Sequence, residues 1–132
     1  MEKKDVQWVK RNVKDDLGFF TEWLKIIKSY SPLTDKEAEF MAVLLTKRHE
    51  LSKVILDESI LSTVLFDKSL KLKMVEDLQL KDLQTFENMA STLRKKKVII
   101  DNKINPLYIP KVQKDFSTFA IGFIILKESE QG

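Results

Sequence analysis

The spacing of apolar residues changes once along this chain, at Lys97, and this change limits which elements can form on either side. Before Lys97, apolar residues recur every three or four positions, which is the period of a helix with a buried face. After it, the β-branched run Val98-Ile-Ile100 indicates a strand. The sequence therefore predicts a mainly helical α+β fold.

The helical part divides into five segments. Thr34-Asp-Lys-Glu37 is a capping box, in which the threonine hydroxyl and the glutamate carboxylate each accept from the other residue's amide. It fixes the start of the second helix. The segment 51–66 is ambiguous because it is rich in β-branched residues, and we favour a loop followed by a short helix. The predicted helices cover residues 6–29, 35–48, 58–66, 69–79 and 83–97.

The carboxyl-terminal part is predicted to be extended. Asp101-Asn-Lys103 has the composition of a turn, and Pro106 and Pro110 limit the residues between them to an edge strand or an extended loop. The segment 118–127 is apolar on both faces, which predicts a strand that needs a cover on each side. We expect a helical extension over 1–31 and one domain over 32–132, together forming a single globular unit.

The composition argues against catalysis. Three glycines cannot build a glycine-rich phosphate loop, and a chain with no cysteine has no thiolate ligands or disulfides. His49 is the only histidine, so no H-E-x-x-H zinc motif exists. We therefore expect no catalytic residue, no metal, no cofactor and no small-molecule substrate. The longest apolar run is too short to cross a bilayer as a helix, so we expect no membrane partner.

The order of elements over residues 34–112 resembles the winged helix-turn-helix superfamily. The residues that carry the resemblance are Leu83-Gln-Thr-Phe-Glu-Asn-Met-Ala-Ser-Thr-Leu93, followed by Arg94-Lys-Lys-Lys-Val-Ile-Ile-Asp101. They look like a recognition helix that leads into a wing. The resemblance implies that this helix enters the DNA major groove and that the wing contacts the backbone.

The same resemblance implies a nucleic-acid site. In this site the residues that would contact base edges are Gln84, Thr85, Asn88 and Ser91. The residues that would contact phosphates are Arg94, Lys95, Lys96, Lys97 and Lys103. Residues 68–114 carry eleven Lys and Arg against five Asp and Glu, a charge balance suited to phosphate. Asp82 and Glu87 depart from the pattern, because each would repel phosphate. Lys97 stands where the family usually has glycine.

Our first hypothesis is a non-enzymatic structural or assembly protein, and a winged-helix DNA-binding regulator is the alternative. Aromatic side chains on the first helix are typical interface anchors, and a last strand that is apolar on both faces could pair with a neighbouring subunit. The predicted interface residues are Trp8, Phe19, Phe20 and Trp23 on the first helix, and Phe119, Ile121 and Phe123 on the last strand. Small size, a lysine-rich composition and the winged-helix-like core are similar to small connector or ring proteins of tailed bacteriophages. This similarity implies a homo-oligomer, or a complex with other subunits, in the virion or in the host cytoplasm before assembly.

Overall fold

The computed structural model describes residues 12–112 and Phe119. Trp8, Ile121 and Phe123, and the predicted strand 118–127 apart from Phe119, lie outside the described residues. The helices are α1 (Asp16–Ile27), α2 (Asp35–Ser52), α3 (Glu58–Leu65), α4 (Lys68–Asp77) and α5 (Leu83–Lys95). The strands β1 (Ile99–Ile100) and β2 (Lys103–Ile104) follow, and two 3₁₀ turns cover Lys28–Tyr30 and Pro106–Tyr108.

Each of the five helices starts at a side chain that accepts a hydrogen bond from its first turn. At α2 the capping box is present as predicted, with Glu37 N donating to Thr34 Oγ1 at 3.2 Å and Thr34 N donating to Glu37 Oε1 at 2.9 Å. Asp82 caps α5 in the same way by accepting from the Thr85 amide. Side-chain oxygens at these positions satisfy amides that have no partner within the helix.

The first helix is shorter than the apolar spacing predicts. Asp15 accepts from the Gly18 amide at 2.8 Å and has an extended backbone, so α1 begins at Asp16 and residues 12–15 are not helical. The prediction of a helix over 6–29 is therefore wrong for this stretch. The physical reason is that the Asp15 side chain accepts from the Gly18 amide, which then needs no carbonyl partner from a preceding helical turn.

The core is built around α2. Six consecutive residues of this helix, from Phe40 to Leu45, are buried, so the helix is covered on nearly all sides. Helix α1 contributes Phe20 and Leu24 to the same core, and α5 contributes Phe86, Ala90 and Leu93. Helices α3 and α4 cover other parts of α2.

A two-stranded antiparallel hairpin follows α5. Its register pairs Ile99 with Ile104 and Ile100 with Lys103. Ile99 and Ile104 are buried, whereas Ile100 and Lys103 face solvent, because cross-strand partners share one face of a sheet. The fold is thus mainly helical with a small sheet, and the broad α+β class is confirmed. The segment between Pro106 and Pro110 contains a 3₁₀ turn, so its prediction as an edge strand or extended loop was wrong.

Lys97, the first residue after the C-cap of α5, has a left-handed conformation with φ of 64°. The Val98 amide donates to the Leu93 carbonyl at 2.9 Å and the Lys97 amide to the Arg94 carbonyl at 3.1 Å, the two bonds of a Schellman motif. This geometry explains why a glycine would be expected at this position.

We expect Lys97→Gly to raise the free energy of unfolding by about 0.5–1 kcal/mol. Glycine adopts a left-handed backbone without the steric penalty, and this gain exceeds the cost of its greater freedom in the unfolded chain. Lys97→Ala removes the same charge and keeps the strained backbone, so it is the matched control. Urea denaturation of both variants measures the difference. If the glycine variant is no more stable than the alanine variant, relief of the left-handed conformation does not exceed the entropy cost of glycine, and the expected gain is wrong.

Candidate interaction surfaces

The predicted interface aromatics meet one another within the chain. The Phe119 ring lies edge-on to Phe19 at a centroid distance of 5.3 Å and to Trp23 at 5.9 Å. The Trp23 indole Nε1 donates to the Tyr108 carbonyl at 2.9 Å. The hydroxyls of Tyr108 and Ser31 are 2.7 Å apart. These rings therefore hold α1 against the carboxyl-terminal segment.

Phe20 faces the interior of the protein. Its side chain is buried in the core cluster and lies edge-on to the ring of His49. A residue in this position contributes to folding, and contact with a second chain would require α1 to leave α2. Of the predicted interface residues, Phe19, Phe20, Trp23 and Phe119 are thus all engaged inside the chain.

The exposed face of α5 carries most of the predicted base-contacting residues. Gln84, Asn88, Ser91 and Lys95 are all exposed, at steps of four, three and four residues, so they share one face. Gln84 Nε2 donates to Asn88 Oδ1 at 2.9 Å. Thr85 differs from them, because its hydroxyl donates to the capping carboxylate of Asp82 at 2.8 Å.

Lys96, one of the predicted phosphate ligands, makes contacts within the chain. Its ammonium donates to Glu37 Oε1 at 2.6 Å and to the Pro32 carbonyl at 2.8 Å. The contact joins the end of α5 to the start of α2. Burial raises the pKa of Glu37, but the hydrogen bond from Lys96 and those from Thr34, together with the nearby positive charge, outweigh it and leave the pKa lowered.

Ile100 and Lys103 on the solvent face of the hairpin, with Lys97 two residues before β1, form a second group that we name the basic hairpin surface. Lys97 and Lys103 are exposed, and Ile100 is 45% exposed beside Lys103. Among the described residues, neither ammonium forms an ion pair. Arg94, the remaining predicted phosphate ligand, is partly exposed on α5. The basic hairpin surface therefore combines two available cations with an exposed aliphatic side chain.

A third surface was not predicted. Val54, Leu56 and Ile60 are 78%, 81% and 55% exposed, although they lie within seven residues of one another. We name them the α2–α3 patch. Leu56 immediately precedes Asp57, the capping residue of α3. An apolar side chain before a cap often packs onto the helix, but Leu56 faces solvent. The sequence did contain a signal, because Val54-Ile-Leu56 is an aliphatic run in a predicted loop.

A cleft of about 260 Å³ opens between α1, α2 and the segment after the hairpin. It is lined by Phe20, Leu45, Arg48, His49, Ser52, Ile109, Pro110 and Val112. The Arg48 guanidinium donates at 2.6 Å to Glu58, a residue that does not line the cleft. Within residues 12–112 and at Phe119, no group of three or more metal-ligating side chains comes together.

Over the described residues the molecule is mainly helical, and its exposed features include a polar helix face, a basic hairpin and an aliphatic patch. No protein-family model matches the sequence, and no curated protein or solved structure is detectably similar to it. In the part of the chain that the structure describes, no helix has the length and hydrophobicity needed to cross a bilayer.

Proposed function

We propose that this protein is a non-enzymatic assembly protein that works through contacts between copies of the folded chain. The observation that carries the proposal is the α2–α3 patch. Single exposed apolar side chains are normal on a protein surface, but neighbouring ones mark contact sites. Val54, Leu56 and Ile60 are neighbours in sequence and each is more than half exposed.

The patch is able to supply useful binding energy. Full burial of an aliphatic side chain of this size contributes about 1.5–3 kcal/mol, so covering three of them offsets part of the entropy lost on association. Asp57 and Glu58 at its edge would keep it soluble while it is uncovered. This patch replaces the aromatic residues of α1 as the proposed contact, because those rings already pack against the same chain.

Virion assembly is the setting that we propose for these contacts. The similarity in size, lysine content and winged-helix-like core to small connector and ring proteins of tailed bacteriophages supports it. In that setting the chain is a virion component that is present in the host cytoplasm before assembly.

Leu56→Asp is expected to weaken self-association at least tenfold while leaving the fold intact, because a carboxylate in the contact must lose its hydration. Sedimentation equilibrium over a range of concentrations measures the change. Leu72→Asp is the matched control, because Leu72 is 47% exposed on α4 and lies outside the patch. A wild-type chain that remains monomeric up to high micromolar concentration contradicts the proposed function.

Binding to duplex DNA is the second candidate, and the exposed face of α5 favours it. Gln84 and Asn88 have the amide groups that pair with adenine, and Lys95 stands at the carboxyl end of the same face. The sequestered ammonium of Lys96 and the capping carboxylate of Asp82 count against it. A polar, lysine-bearing face is also the usual solvent side of a surface helix, so this observation is less specific than the α2–α3 patch.

Fluorescence anisotropy of a labelled duplex tests this second candidate. If DNA is the partner, affinity falls steeply with salt, and reversing the charges of Lys95 and Lys103 reduces both the affinity and the salt dependence. Lys73→Glu, an exposed charge reversal on α4, is the control. Absence of binding at low salt removes DNA from consideration and leaves the assembly proposal in place.

A further inference from the structure

We draw no further inference here: the strongest candidate, the cleft between α1, α2 and residues 109–112, carries nothing, because Arg48 and Ser52 on its wall already donate to the Glu58 carboxylate and the His49 carbonyl, and nothing in the part of the chain that the structure describes shows what would occupy it.

Discussion

Phe86→Ala is expected to lower the free energy of unfolding by about 3–5 kcal/mol, which is the usual range for removing a buried phenylalanine. Phe86 is completely buried, and its ring packs against Phe40 with centroids 4.8 Å apart and a tilt of 44°. The contact joins α5 to α2. The substitution removes apolar surface and leaves a cavity between two helices that cannot fully close.

Urea denaturation at neutral pH measures the effect of Phe86→Ala. Ile60→Ala is the matched control, because Ile60 is mostly exposed and its truncation should cost less than about 1 kcal/mol. Phe86→Leu retains much of the volume and should fall between the two. A loss below about 1 kcal/mol for Phe86→Ala would show that α5 does not depend on this contact with α2.

Glu37→Gln is expected to lower the free energy of unfolding by about 2 kcal/mol at neutral pH, the scale of a lost charge-assisted hydrogen bond. Glutamine keeps an oxygen that can accept from the Thr34 amide, so the change isolates the charge that faces Lys96. Glu37 is buried, which makes the pair less exposed to screening than a surface ion pair. Chemical denaturation measures the loss.

The contribution of Glu37 to stability is expected to decrease when the pH is lowered into the acid range. The pKa of Glu37 in the folded chain is lowered from its ordinary value of 4.5, so its stabilising contribution is complete above 4.5. That contribution is lost as the pH falls through the lower folded pKa. Wild type and Glu37→Gln should therefore differ at pH 7 and converge in strong acid. Asp67 and Asp82 also have lowered pKa values, through hydrogen bonds to Ser69 and Thr85 respectively, so only the difference between the two proteins is informative.

A double-mutant cycle with Lys96→Met assigns the effect to the pair. If Lys96 and Glu37 stabilise one another, the two substitutions together should cost less than the sum of each alone. Additive losses would mean that Glu37 and Lys96 do not stabilise one another, and that Lys96 acts through its bond to the Pro32 carbonyl alone.

The helices could be largely predicted from the sequence because their signals are local. The capping box at Thr34 places the start of α2 correctly, and the change of spacing at Lys97 places the end of α5 within two residues. The first helix was predicted too long because an apolar stripe continues through Asp15, while the cap depends on the geometry of one side chain. The hairpin was predicted in place, but its short strands and register depend on how Ile99 and Ile104 reach the core.

The candidate surfaces could be predicted only in part. The face of α5 follows from helical spacing, so Gln84, Asn88, Ser91 and Lys95 lie together as expected. The roles of Phe20 and Lys96 depend on partners far away in the chain, since Lys96 and Glu37 are 59 residues apart. Composition identifies an apolar or charged residue but does not tell what covers or pairs with it.

The sequence by itself determined that this chain is a cysteine-free, mainly helical α+β protein with a basic segment after position 67. Local chemistry is sufficient for these properties, because caps, periodicity and charge are properties of neighbouring residues. The tertiary structure alone decided that the aromatic residues of α1 pack inward and that Val54, Leu56 and Ile60 remain outside. Which apolar residues are covered is set by how the helices pack, and packing is a property of the whole folded chain.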